Sequence, residues 1–277
     1  MNVNDDESNP VAESEPATPS PPLVPAIEGG PPAVPIRGRR LWPVVLASAL
    51  IGGALGWLGG EAAFDHFVLP EELDARSASI SATQADMDEA GQFRLKNETR
   101  NGALALGLLG AAMGLTLGLA GGIVGRRPKR GLAYSIPGLI VGGALVAGVV
   151  LALQPALKTW QTENPDDLLS VLLLHGVLAA AVGASGGLAF GLGLGERGWT
   201  PRALLGGLAG AALAALLFQM VAGAAFPIGR PDYIVPTTPS TRLVARLVLG
   251  LGTALGVCLA RPVAPRAVVK VQEPSTS

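Results

Sequence analysis

The chain has 277 residues, of which 49% are hydrophobic and only 15% charged, with 38 glycines and a formal charge of −1. Soluble domains carry roughly 25% charged residues, so an ordinary soluble protein is excluded, and the absence of excess positive charge excludes a nucleic-acid binder. One Cys and two His leave no disulfide framework and no cysteine- or histidine-built metal centre, and no motif for a cofactor is present.

Residues 1–40 form the first segment. Up to residue 36 it holds six acidic residues, no basic ones and many prolines, which is too little apolar surface to offset chain entropy. A disordered Pro-rich arm is expected there. With no basic start followed by an early apolar stretch, no cleavable leader is expected there. From 41 to 260 the chain reads as a membrane domain of six apolar stretches, each near the ~20 residues needed to cross ~30 Å of hydrocarbon. The expected spans are about 41–64, 102–125, 132–153, 168–195, 203–226 and 243–260. Residues 261–277 form a tail. The fold class expected is therefore all-α: a polytopic bundle of six transmembrane helices with glycine-zipper packing.

Between the first two spans, residues 65–100 read as an external helical segment. Pro70-Glu71-Glu72 makes a favourable first turn, because proline fits that position and carboxylates suit the positive helix end. Leu73, Ile80 and Met87 then recur every seven residues up to Gly91, predicting one short helix with a narrow apolar stripe.

Basic residues orient the bundle. With the N-terminus inside, twelve Lys and Arg fall on the cytoplasmic side and seven outside; the blocks IRGRR (36–40) and RRPKR (126–130) flank spans directly, where the positive-inside bias is strongest. Both termini are expected in the cytoplasm. Sixteen Arg against four Lys, with abundant Ala and Gly, point to a GC-rich bacterium and hence to a bacterial cytoplasmic membrane.

Small residues recur every four positions and so line one face of each helix. The rows run Gly52, Gly56, Gly60 in the first span; Gly110, Gly114, Gly118 in the second; Gly183, Gly187, Gly191 in the fourth; and Gly252, Gly256 in the sixth. Such a row lets another helix backbone approach closely, and van der Waals contact is what holds helices together in lipid. The partners expected are the bilayer and, through a row left over, a second copy or another membrane protein. A gapless shift of 73 residues also lays Gly110, Gly114, Gly118, Gly122 and Pro128 on Gly183, Gly187, Gly191, Gly195 and Pro201, a parallel repeat of a helical hairpin.

Polar residues inside the spans are few, and no Asp or Glu falls in a span core. His175, Gln154 and Gln219 are the candidate lining of a polar path. Arg246, near the outer end of the sixth span, is expected to snorkel to the surface.

In the fourth span Gly183-Ala184-Ser185-Gly186 resembles the GxSG serine motif of rhomboid intramembrane proteases, which also have six spans. The resemblance implies Ser185 at the nucleophile position. In that family the base is a His on the sixth span, and RLVARLVLGLGTALGVCLA here contains none. His175 lies on the same helix as Ser185, ten residues and about 15 Å away along the axis, beyond reach of its proton. The resemblance thus implies a catalytically inactive relative. Three functions remain: a non-enzymatic structural or assembly protein of the membrane, a small-solute permeation or transport protein, and the inactive rhomboid-like protein.

Overall fold

In a computed structural model, described for residues 38–64, 66–163, 168–225 and 235–261, seven helices follow one another without strands among those residues. They are α1 (Gly38–Ala62), α2 (Glu71–Ala78), α3 (Gln84–Val124), α4 (Pro128–Glu163), α5 (Leu168–Leu194), α6 (Thr200–Ala225) and α7 (Pro239–Leu259). All but α2 are long and apolar enough to cross a membrane. The arm up to residue 37 and the tail from residue 262 lie outside the described residues.

Helix α3 has 41 residues, about 62 Å at 1.5 Å per residue and twice the thickness of a hydrocarbon core. Its start is fixed by a capping box: the Thr83 hydroxyl accepts from the Asp86 amide at 3.2 Å and the Asp86 carboxylate accepts from the Thr83 amide at 3.0 Å. From there it runs through Gly91 and the charged residues 94–100 into the apolar span without a break. This corrects the expected single helix in 65–100. The Leu73, Ile80, Met87 stripe does not exist, since the chain breaks between α2 and α3 and Ile80 is fully exposed, while Leu73 is buried. Helix α2 stops at Ala78, and α3 starts after Thr83 because the Thr83 hydroxyl gives an amide of its first turn an acceptor.

Beside the N-terminal part of α3 stands the C-terminal part of α4, itself 36 residues long and joined to α3 by a Lys158–Glu98 ion pair at 3.5 Å. The link leaving α1 is held to the same end of α3: Asn101 accepts from the Phe67 amide at 3.0 Å and donates to its carbonyl at 2.9 Å.

Helices α3 and α5 form the centre of the bundle, with 61% and 67% of their apolar windows buried against 17–44% for the other four. Helix α3 touches α1, α4 and α5; α5 also touches α4, α6 and α7; and α1 and α6 each flank α7. The core they enclose includes Leu109, Met113, Leu117, Val146, Val150, Val182 and Phe190.

The glycine rows face neighbouring helices of the same chain. A Cβ on Gly110 would lie 2.6 Å from the carbonyl oxygen of Gly142; one on Gly114 would overlap that of Gly138; and one on Gly118 would sit 2.9 Å from the Ser135 Cα. In the second hairpin Gly183 meets the Gly207 carbonyl, Gly187 meets Ala203, and Gly191 lies 2.6 Å from the Thr200 Cα by the same measure. Gly252 faces Gly210, and Gly256 faces Gly206. The repeat register is informative here. A shift of 73 would carry the Gly110–Gly142 contact to Gly183 and Ala215, but Gly183 meets Gly207, eight residues earlier. The second hairpin is thus slid by about two helical turns, which a row of period four permits because the same face stays small.

Candidate functional site

Helix α7 opens with Thr238 accepting from the Thr241 amide and Pro239 in the first turn, which places Arg242 and Arg246, four residues apart, on one face. That face meets α1. The crossing is close because glycine stands on both sides: a Cβ on Gly53 would lie 2.9 Å from the Arg246 carbonyl oxygen, and one on Gly250 would lie 2.7 Å from that of Ala49.

Arg242 is 3% exposed and its donors are well supplied. Nε and Nη2 each donate to the Glu61 carboxylate at 2.6 Å, and Nη1 donates to the carbonyls of Pro236 at 3.0 Å and Thr237 at 2.9 Å. The guanidinium also lies over the Phe64 ring at 3.8 Å. A bidentate pair with its remaining donors filled is the arrangement in which a buried ion pair offsets its own desolvation.

One turn deeper, Arg246 is 4% exposed and donates through Nη1 to the carbonyl of Gly56. Gly60 makes the room, since a Cβ there would overlap the guanidinium. This corrects two expectations. Arg246 does not snorkel: α1 is packed over it and offers a carbonyl instead of water. The row Gly52, Gly56, Gly60 is also not a uniform backbone stripe. Gly52 faces the Thr116 hydroxyl and the Met113 sulfur, Gly56 faces Leu109, and Gly60 cradles a side chain.

Arg242 and Arg246 line a cavity of about 60 Å³ between α5, α6 and α7, together with His175, Gln219, Leu178 and Phe218. Its position follows from where the glycines stop. Toward the opposite end Gly183, Gly207, Gly210 and Gly252 bring three backbones together. Past them Leu178, Phe218 and Leu249 hold the helices apart, and Gly176 has no neighbour nearer to its Cβ position than the end of Leu216 at 3.8 Å. Of the three residues expected along a polar path, His175 and Gln219 therefore share one cavity. Gln154 does not join them; it is fully buried on α4, with neither amide atom hydrogen-bonded among the described residues.

Ser185 is buried, and its hydroxyl donates to the Val182 carbonyl at 2.8 Å, with the Gly110 carbonyl of α3 at 3.4 Å. Its proton is committed to backbone acceptors within its own turn and across the α3–α5 seam.

Glu61 was not among the expected site residues. Its signal was available as a carboxylate in the last turn of an apolar span, but its partner is 181 residues away, and no local pattern pairs them. Compared with known protein families, curated proteins and solved structures, the chain matches none. What the six long apolar helices define is a multi-pass helical membrane protein.

Proposed function

We propose that this is a non-enzymatic structural or assembly protein of the bacterial cytoplasmic membrane, with both termini in the cytoplasm and the end bearing α2 outside. One observation carries the reading: along the α3–α4, α5–α6 and α6–α7 seams, glycines put helix backbones in direct contact. Rigid close contact of this kind is what a scaffold in lipid requires. The separation of Gln154 from His175 and Gln219 supports the same choice, since a permeation path needs connected polar groups. The Ser185 hydrogen bonds favour a packing role for that residue over the chemistry implied by its resemblance to the rhomboid motif. The orientation rests on the twelve-to-seven distribution of basic residues.

A small-solute permeation protein is the second reading, favoured by the cavity that holds His175 and Gln219 with two arginines. Purified protein reconstituted into liposomes loaded with glycerol or chloride decides between the two. The structural reading expects efflux no faster than from protein-free vesicles. Efflux that rises with protein content and falls on His175→Leu or Gln219→Leu would overturn it in favour of permeation.

A further inference from the structure

Along the N-terminal half of the α3 span, the seam with α4 opens on its outer side into a furrow of about 700 Å³. Its floor is made by Gly107, Ala111, Gly143 and Ala147. These residues nearly touch: a Cβ on Gly107 would lie 3.2 Å from that of Ala147, and one on Gly143 would lie 3.2 Å from that of Ala111. The two backbones therefore meet with no large side chain rising between them. Leu108, which reaches toward Gly59 of α1, and the exposed Leu151 stand on either side. At one end is Arg100, the one charged residue of the lining, with its guanidinium 5.5 Å from the centroid of the Phe67 ring. Lys96 lies one turn before it on the same face of α3, also exposed. Among the described residues neither cation has a carboxylate within 4 Å.

The spacing of charges on α3 sets the depth of this furrow in the bilayer. No charged residue stands between Arg100 and Arg126, a distance of about 39 Å along the helix axis. That is close to the ~40–45 Å of a bilayer with its headgroup layers, so Arg100 sits at headgroup level. The furrow runs from there to Ala111, about 16 Å farther along the axis, which is half of the ~30 Å hydrocarbon core. It is thus one leaflet deep, with cations at the surface and only apolar groups below. A helix of a second copy would cross the full core, twice the length of the furrow. An acyl chain ends where the furrow ends, and a negative headgroup meets Arg100 and Lys96. We propose that the α3–α4 furrow is a binding site for an anionic phospholipid, with one acyl chain laid along Gly107 and Gly143 and the headgroup held by Arg100 and Lys96. The proposal rests on the chain crossing a membrane and not on the assembly reading.

The test uses the purified full chain, stripped of lipid in a neutral detergent and titrated with phosphatidylglycerol or phosphatidylcholine of identical acyl chains. Native mass spectrometry counts the lipids bound. The first phosphatidylglycerol should bind more tightly than the first phosphatidylcholine. A cation near a membrane surface is worth about a factor of five toward an anionic lipid. Arg100→Gln should therefore weaken the first phosphatidylglycerol about 5-fold, and Arg100→Gln with Lys96→Gln should weaken it about 25-fold and erase its advantage. Ala144 also lines the furrow and is exposed on α4, so Ala144→Phe fills the space from its rim while both cations remain, and should remove the tight first step. Equal first steps for the two lipids in the wild-type chain, or an Ala144→Phe variant that binds as the wild type does, would overturn the proposal. A dimeric wild type that becomes monomeric in Ala144→Phe would overturn it in favour of a second copy lying in the furrow.

Discussion

Replacing Gly114 by Ala tests the seam between α3 and α4 at its tightest point. The added Cβ would overlap the Gly138 carbonyl oxygen and lie 2.5 Å from its carbon and 3.2 Å from the Leu139 nitrogen. Carbon atoms in contact sit about 3.5–4.0 Å apart, so α4 must retreat by about 1 Å. The retreat is shared along the row, at Gly110 against Gly142, Gly118 against Ser135 and Gly122 against Gly131, because helix backbones move as units. Each atom pair is worth about 0.1–0.2 kcal/mol and loses about a quarter to a half of that across such a gap, so about 40 pairs along the seam lose about 2 kcal/mol. That lies inside the range of about 1–3 kcal/mol seen for overpacked interiors. Alanine also gains about 1 kcal/mol of helix propensity over glycine, which would mask part of the loss. Gly148 on α4 removes the ambiguity, because a Cβ there meets nothing within 4 Å, so Gly148→Ala reads the propensity gain alone. Unfolding by SDS in dodecyl maltoside micelles, followed by helical circular dichroism, should place Gly114→Ala about 2 kcal/mol below Gly148→Ala. Equal stability of the two variants would refute the claim that this row is a contact surface.

Two further outcomes are expected. Glu61→Gln leaves the buried Arg242 guanidinium without its carboxylate and should cost about 2–4 kcal/mol, less than a fully enclosed pair because Glu61 keeps some solvent; the same unfolding assay should show Glu61→Gln with Arg242→Gln costing less than the two single changes added together, and strict additivity would mean that the pair is not coupled. In a Cys258→Ala background, a cysteine introduced by Ser79→Cys should react with an impermeant thiol reagent in intact cells and one introduced by Ser8→Cys should not, as the distribution of basic residues requires; the reverse pattern would invert the orientation.

Much of the fold was legible because span length is a one-dimensional property. The apolar stretches beginning near 41, 168, 203 and 243 agree with the helices within a few residues, since a helix in lipid must be apolar over its whole crossing. The continuity of α3 was not legible. Residues 84–101 have no apolar face, and what makes them helical is the Thr83 cap below and the span above, a start and an end that local periodicity does not join. The site was least legible of all. Arg242 and Arg246 at the start of a span look the same in sequence whether they reach water or a carboxylate. Only the adjacency of the first and last spans, which no pattern in either encodes, brings Glu61 and the Gly56 carbonyl to them.

The unbroken run of α3 from Gln84 to Val124 has a mechanical meaning. A helix without a proline or a bulge is stiff over several turns, so the half that stands clear of the bilayer and the half that carries Gly110, Gly114 and Gly118 turn together as one rod. Rotating or tilting the N-terminal half at Arg94 or Glu98 shifts the register of the glycine face against α4 and α5 by the same angle. The Lys158–Glu98 tie sets α4, which carries Pro137 and Pro155 within its length, beside that rod. A load applied outside the membrane therefore arrives at the centre of the bundle as torque, with no hinge in between to absorb it.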